Sequence, residues 1–211
     1  MAAYLLCSIL LVCLLSAVSV AFPDYREAIF EEDRAVEWAT TAIFAVTGIY
    51  GIVAYRRASE KNVVLLTVAG VGLLGTLDEL SFGERILQFE APRIMGVKFD
   101  SLHDLLLVAR KLIQSISFEY QYVIALGIAL LICVVALIAL RAVLRRGWTL
   151  GPGILLLLPV FAVILVVFAQ MIDVDLNFIP HKVLKPLYVE EALELGAGLL
   201  LFGYVRLADS A

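Results

Sequence analysis

The sequence feature that most constrains the fold is a pair of carboxylates, Asp78 and Glu79, at the end of an apolar run. The run, residues 63–77, has fifteen residues and rises about 22 Å as a helix, whereas the hydrocarbon core of a bilayer is about 30 Å thick. To complete a crossing, the helix has to carry both carboxylates, and then Ser81 and Phe82, into the outer part of the membrane. A carboxylate at that depth costs about 2–3 kcal/mol unless it is paired, protonated, bound to metal or next to water. We therefore expect the rest of the chain to be arranged around this cost.

The composition is typical of a membrane protein with several spans. Of the 211 residues, 63% are hydrophobic and the mean hydropathy is +0.99, whereas soluble domains are about half apolar. No segment outside the apolar runs is long enough to fold separately, so we predict a single integral membrane domain over residues 1–211. The three cysteines all lie inside apolar runs, which argues against disulfides and thiolate metal sites.

Six apolar segments are long enough to cross, or nearly cross, a bilayer, so we predict an all-α polytopic transmembrane bundle. They are residues 4–21, 35–55, 63–82, 122–140, 153–172 and 192–207. The first also resembles a signal peptide, but no Lys or Arg precedes it and its apolar run is long, which favours a retained helix. The last carries small residues that form a thin face for close packing, namely Gly196, Gly198 and Gly203.

The charges alternate between the connections of these spans. Lys and Arg gather in residues 55–61, in residues 141–147 and in the tail, and these all lie on one side if six helices alternate. The positive-inside rule makes that side cytoplasmic, together with both termini. Nearly all acidic residues and both histidines lie in the other connections. We predict a multi-pass protein of the bacterial inner membrane with extracytoplasmic acidic loops and no nucleic-acid partner.

The long connection after the third span carries the pattern of a further helix. Ser101 followed by Asp104 is typical of an N-cap with an acidic partner three residues later. Beyond it, apolar residues fall on one helical face, and polar residues, including His103 and Arg110, fall on the other. We therefore predict an amphipathic interfacial helix over residues 101–117 that covers the outer face of the bundle.

Four groups of acidic residues approach the outer face of the predicted bundle, together with the histidines. The groups are Glu32, Asp33 and Glu37; Asp78, Glu79 and Glu84; Asp173 and Asp175; and Glu190, Glu191 and Glu194. Carboxylates and imidazoles bind divalent metals, and helical bundles take such ligands from several helices. We predict a divalent metal or acid–base site at this face. Its predicted metal ligands are Glu37, Asp78, Glu79, His103 and Glu194.

Within this site we assign roles by chemistry. Asp78, Glu79 and His103 are the predicted catalytic residues, as metal ligands or as general acid and base. Arg85 and Arg110 are the predicted contacts to an anionic headgroup of the substrate. The alternative interpretation is structural, because acids at a helix start interact favourably with the helix dipole and arginines neutralise others. No zinc-site, phosphate-loop or hydrolase-elbow spacing occurs in the sequence.

Three motifs resemble, in the same order and span context, a family of uncharacterised multi-pass bacterial membrane proteins. They are Glu32-Asp33-x-x-x-Glu37-Trp38, Asp78-Glu79-Leu80-Ser81-Phe82-Gly83-Glu84-Arg85 and Leu102-His103-Asp104. The family pattern runs ED-G-x-x-EW, EEISWGQR and LHN, and this chain departs from it at Arg34, Phe82, Glu84 and Asp104. The resemblance covers about the first half of the chain. It implies a shared fold and a shared cluster on the outer face, and it brings no established activity.

A shorter stretch is similar to alkaline ceramidase-like membrane hydrolases. Those enzymes have an acidic entry to an early helix and a comparable stretch near a catalytic zinc, which Leu77-Asp78-Glu79-Leu80 resembles. The paired histidines of their last helix are absent from this sequence. The likeness is therefore confined to these four residues.

These observations leave three functions open. The first is a membrane-embedded enzyme that acts on a lipid or lipid-linked substrate at the outer leaflet with the acidic and histidine cluster. The second is a non-catalytic accessory or scaffold subunit whose charges fix helix register and dock a membrane-protein partner. The third is a small proton-coupled transporter, although the sequence lacks internal repeats and helices broken at the midplane. The lipid bilayer is a partner in all three.

Overall fold

The computed structural model describes most of the first hundred residues and parts of the remainder. The described residues are 1–25, 29–30, 35–58, 62–101, 104, 107–108, 111–112, 115, 155–173 and 189–210. Contacts divide the chain into two compact units, one formed by Met1–Glu90 with Leu155–Ala211 and the other by Ala91–Ile154. The single domain expected over residues 1–211 stays a prediction.

The first unit consists mainly of helices. In chain order, the described ones are α1 (Ala2–Ala21), a 3-10 helix (Pro23–Tyr25), α2 (Ala35–Arg57), α3 (Val63–Glu79), a second 3-10 helix (Ser81–Gly83), the one-turn α4 (Glu84–Leu87), α5 (Leu157–Asp173) and α6 (Val189–Asp209). Among the described residues, α1 and α2 are the two helices long and apolar enough to cross a membrane. They agree with the spans predicted at residues 4–21 and 35–55.

Three further helices lie where spans are predicted. They are α3, α5 and α6, for the spans at residues 63–82, 153–172 and 192–207. Within the described ranges, α3 and α5 have 17 residues each and are shorter than α1 and α2, whereas α6 has 21 residues but is less apolar, so none of the three is a candidate span. The span at residues 122–140 lies outside the described residues. The structure therefore supports a mostly helical protein with two candidate spans, and the bundle of six spans stays a prediction.

Large apolar side chains cover outward surfaces of α1 and α5. On α1, five of them are more than half exposed, namely Leu6, Ile9, Leu10, Leu14 and Val20. On α5, four more are at least half exposed, namely Val160, Val163, Val167 and Phe168. Soluble monomers rarely expose contiguous apolar patches, and larger ones mark contact with membrane or protein. These two faces therefore suit a lipid environment.

Helix α3 ends earlier than its sequence predicts. Asn62 caps its start, because the side-chain oxygen accepts hydrogen bonds from the backbone nitrogens of Val64 (3.0 Å) and Leu65 (3.3 Å). The predicted span continues to Phe82, but the helix stops at Glu79. Ser81 and Phe82 both adopt φ = 50°, a left-handed conformation that breaks the helix. The two carboxylates therefore lie in the last turn of α3.

Helix α6 packs against α1, α2, α3 and α5, and the apolar core of the unit forms around it. Core side chains come from α2, α3, α5 and α6, including Phe44, Leu65, Leu158, Leu200 and Tyr204. The thin face predicted on α6 is confirmed. A Cβ atom at Gly196 would lie 2.8 Å from Val12, one at Gly198 would lie 2.5 Å from Ile43, and one at Gly203 would lie 2.6 Å from Tyr4. Only glycine permits this approach.

Contacts between helices fix their directions. In α1 and α6, Tyr4 lies against Gly203 and Ser8 donates to the Gly196 carbonyl (3.0 Å), so the two helices are antiparallel. In α2 and α6, residue numbers rise together, because Gly198 lies against Ile43 and the rings of Tyr50 and Phe202 are 6.3 Å apart. These helices are parallel. Helix α3 runs antiparallel to α2, since Gly72 lies against Gly48 and Gly51 against Ala69.

The second unit contains a β-hairpin that the all-α prediction omitted. Strands β1 (Arg93–Ile94) and β2 (Val97–Lys98) are antiparallel, with Arg93 opposite Lys98 and Ile94 opposite Val97. The turn residues Met95 (φ 52°) and Gly96 (φ 75°) both have positive φ, as in the type I′ turns that suit two-residue hairpins. The sequence signal is weak because Gly is typical at such positions and Met is not.

The acidic half of the N-cap pattern predicted after the hairpin is observed, because Asp104 accepts from the backbone of Ser101 three residues earlier. The Oδ2 atom of Asp104 accepts hydrogen bonds from the backbone nitrogens of Asp100 and Ser101 (each 3.0 Å) and from the Ser101 hydroxyl (2.8 Å). Both Ser101 and Asp104 are buried. The described positions 104, 107–108, 111–112 and 115 are helical. The amphipathic interfacial helix over residues 101–117 as a whole stays a prediction.

Candidate functional site

The directions of the helices bring acidic residues to one end of the first unit. Helix α2 begins, α3 ends and α6 begins at this end, which follows from the parallel and antiparallel pairs above. The acidic residues of these three helix termini are Glu37, Asp78, Glu79, Glu190, Glu191 and Glu194. We name this set the acidic end. It combines residues more than a hundred positions apart in the sequence.

Glu194 is the residue on which the charges of the acidic end converge. Surrounding protein atoms desolvate its carboxyl, although part of the side chain still reaches the surface of the unit. The charges that act on it are those of Glu79, Glu190, Glu191 and Asp78, in decreasing order. Two helices therefore contribute, α6 through its own first turns and α3 through its last turn. Like charges this close repel one another, so protons, cations or hydrogen-bond donors have to balance them.

Glu37 is the most buried acid of this set, with 7% of its surface exposed. It lies in the first turn of α2 and six residues before Ile43, which contacts Gly198. Glu194 lies four residues before Gly198, so the two acids lie about 9 Å and 6 Å from this contact along parallel helices. They are therefore at similar levels.

Two carboxylate oxygens near this end have no contact with solvent. They are the Oε2 atoms of Glu84, in the one-turn α4, and of Glu191, in the first turn of α6. The positions of Glu190 and Glu191 also let them interact favourably with the dipole of α6. From the sequence, Glu190 and Glu191 were predicted to belong to an acidic group at the outer face, but neither was predicted as a site residue. Their spacing of three and four residues from Glu194 is the signal that brings them to one helix face.

Three predicted site residues are not fully described by the structure. His103 and Arg110, a predicted ligand and a predicted headgroup contact, lie outside the described residues. Arg85 lies in α4, but only its backbone is described. Of the remaining predicted residues, Asp78 and Glu79 lie close enough for their charges to act on Glu194. The catalytic role of Asp78 and Glu79 stays a prediction.

The predicted metal site has four described members, which are Glu37, Asp78, Glu79 and Glu194. Within the described ranges, no group of three or more His, Cys, Asp or Glu side chains is arranged to hold a metal ion. His103, the fifth predicted ligand, lies outside the described residues. The divalent metal site therefore stays a prediction.

The acidic end can exchange protons and bind polar or cationic groups. A carboxylate is a general base when ionised and a general acid when protonated, and adjacent carboxylates share protons because they do not all ionise together. The acidic end is therefore chemically suited to acid–base exchange.

The opposite end of the first unit carries cations. Arg56 and Arg57 lie in the last turn of α2, and Arg206 lies in the last turn of α6. Here the Tyr50 hydroxyl donates to the Asp209 carboxylate, and Asn62 donates to the Tyr204 hydroxyl (3.4 Å). We name these three arginines the basic end. The charges of the described bundle are therefore polarised along its length.

Comparisons with known proteins assign no family to this chain. No protein-family model matches it, and neither a curated protein nor a solved structure does.

Proposed function

We propose that the chain is a multi-pass protein of the bacterial inner membrane. The basic end faces the cytoplasm, together with both termini, and the acidic end faces outward. The polarity of the described bundle supports this orientation, because cations favour the cytoplasmic side of membrane helices. The exposed apolar faces of α1 and α5 support contact with lipid.

The proposed activity is acid–base catalysis on a lipid or lipid-linked substrate at the outer leaflet. The observation that carries this proposal is the convergence of Asp78 and Glu79 with Glu194 across two helices distant in sequence. Glu79 or Asp78 acts as the general base, and a protonated neighbour acts as the acid. Arg85 and Arg110 bind the anionic part of the headgroup, and His103 assists in proton transfer or binds a divalent metal. The resemblance of the Asp78-to-Arg85 segment to a membrane-protein family is consistent with a site here.

A reconstituted assay tests the proposal. The purified protein is placed in vesicles of a bacterial lipid extract, and the lipids are followed over time by mass spectrometry. Asp78→Asn, Glu79→Gln and Glu194→Gln remove ionisable groups while keeping side-chain size. Because a positioned acid or base contributes about a hundredfold or more, each variant is expected to lose at least that much of the rate.

Glu90→Gln is the matched control, because Glu90 is an exposed acid outside the acidic end. It is expected to turn over lipid at the wild-type rate. Wild-type rates in all three acidic-end variants would remove the proposed activity. Equal losses in Glu90→Gln would show that the assay reports net charge rather than the site.

A second candidate is a non-catalytic subunit of a larger membrane complex. The observation in its favour is that Glu190 and Glu191 lie in the first turn of α6, where acids stabilise a helix without chemistry. A stoichiometric membrane-protein partner in gentle detergent, together with no lipid turnover by the wild type, would favour this candidate. A proton-coupled transporter is a third alternative, and proton uptake into vesicles tests it.

A further inference from the structure

The hairpin of the second unit presents apolar side chains at its turn. Ile94, the last residue of β1, is 42% exposed, and Met95, the first residue of the turn, is 47% exposed. Met95 has a positive φ, a conformation that Asn or Gly adopts at lower cost. A large apolar side chain is therefore held outward at a position where a small polar residue is more usual.

Cations surround this apolar tip. Arg93 and Lys98 face each other across the two strands, and both are exposed. Lys111, from the helical segment that follows, donates from Nζ to the Met95 carbonyl (3.3 Å), so its ammonium group lies at the turn. The hairpin therefore combines an exposed apolar tip with three cations within one short segment.

One acid offsets part of this charge. Lys98 forms an ion pair with Asp100, with 2.6 Å between Nζ and Oδ2. The Oδ2 atom of Asp104 accepts hydrogen bonds from the backbone nitrogens of Asp100 and Ser101. Arg93 and Lys111 thus leave the described hairpin with excess positive charge. This contrasts with the acidic residues that the sequence places in the same connection.

We propose that the tip of this hairpin inserts into the headgroup region of the bilayer and that its cations bind the phosphates of anionic lipids. Apolar residues flanked by Lys and Arg are the combination that binds anionic membrane surfaces, because apolar insertion and phosphate attraction act together. Only residues 80–92 separate the hairpin from the end of α3 in the sequence, so it lies near the start of the long connection that follows the third predicted span. This inference rests on the proposed membrane location but not on the proposed catalysis.

A fluorescence experiment on the full-length protein tests the inference. All three native cysteines are replaced, and Ile94→Cys is labelled with an environment-sensitive fluorophore. The protein is reconstituted in phosphatidylcholine vesicles with and without phosphatidylglycerol, and the quencher is a lipid with a spin label near its headgroup. We expect strong quenching with a blue-shifted emission, and both increase with phosphatidylglycerol.

The cations are tested in the same labelled background. Arg93→Gln and Lys111→Gln are each expected to lower the ratio of inserted to free tip about fivefold, because removing one cation near an anionic surface weakens membrane binding by about this factor. Both losses shrink at high salt, because salt screens the attraction. Free inorganic phosphate is expected to leave quenching unchanged. If free phosphate abolished the quenching, the cations would bind a soluble anion rather than the bilayer, and the inference would be overturned.

A label inside the bundle separates failure of this inference from failure of the membrane proposal. In the control protein, Cys13 alone is retained, since it lies exposed on α1. A quencher placed deep in the acyl chains is expected to reach Cys13. Quenching at Cys13 without quenching at Ile94→Cys would overturn the inference and leave the membrane location intact. No quenching at either position would overturn both.

Discussion

Two glycines of α3, two residues apart, lie in opposite environments and form a matched pair for testing how the bundle packs. A Cβ atom at Gly72 would lie 2.7 Å from the backbone nitrogen of Gly48 and 2.9 Å from the carbonyl oxygen of Phe44. A Cβ atom at Gly70 would meet nothing within 4 Å. Both contacts at Gly72 are with the backbone of α2, which has no rotamer to change. Gly72→Ala therefore has to push α2 and α3 apart.

The expected magnitude follows from comparing the two alanine variants. Alanine is favoured over glycine in a helix by about 1 kcal/mol, and this gain applies to both positions. Overpacking a core costs about 1–3 kcal/mol, and rigid backbone contacts favour the upper value. We expect Gly70→Ala to be neutral or slightly stabilising and Gly72→Ala to be less stable by about 3 kcal/mol than Gly70→Ala. At about 2–4 °C per kcal/mol, the midpoints of thermal unfolding differ by about 6–12 °C.

The assay is thermal unfolding in one detergent, followed by far-ultraviolet circular dichroism. Both variants are purified in parallel with the wild type, and the helical signal before unfolding confirms that each is folded. If Gly72→Ala and Gly70→Ala unfold at the same temperature, the close approach of α2 and α3 is wrong. A lower midpoint for Gly70→Ala than for Gly72→Ala would contradict the helix faces described above.

Three further predictions concern caps and turns. Asn62→Ala should destabilise the protein by about 1 kcal/mol in the same assay, whereas Asn62→Asp should keep the cap of α3 and lose only the weak bond to Tyr204. Asp104→Asn should preserve the N-cap network, because its carbonyl oxygen accepts the same bonds, whereas Asp104→Ala should speed amide exchange at Ser101. Ser81→Gly should raise stability by about 1 kcal/mol, because glycine adopts φ = 50° without strain; a loss of stability would argue against this backbone conformation.

The sequence predicted those parts of the fold that depend on local patterns. The starts of α2 and α3 and the thin face of α6 follow from apolar runs and glycine spacing, and the N-cap at Ser101 follows from side-chain chemistry. The end of α3 could not be predicted, because nothing in Ser81 or Phe82 favours a left-handed backbone. The hairpin was missed for a similar reason, since Met95 occupies a turn position that glycine or asparagine usually marks.

The acidic end was predictable in part. Carboxylates at the ends of predicted spans indicated that residues from different helices meet at one face. Which of them meet depends on how α3 and α6 pair, and this is a property of long-range packing that periodicity does not contain. The pairing selects Glu79 and Asp78 as partners of Glu194 and adds Glu190 and Glu191. The position of His103 relative to them lies outside the described residues.

The packing of α6 has a consequence for biosynthesis. Helices α1, α2, α3 and α5 all contact α6, yet the ribosome makes every one of them earlier. During synthesis, the sides of these helices that α6 will cover are without this neighbour until the last of the described helices is made. The packing of the described core is therefore completed only when α6 is in place.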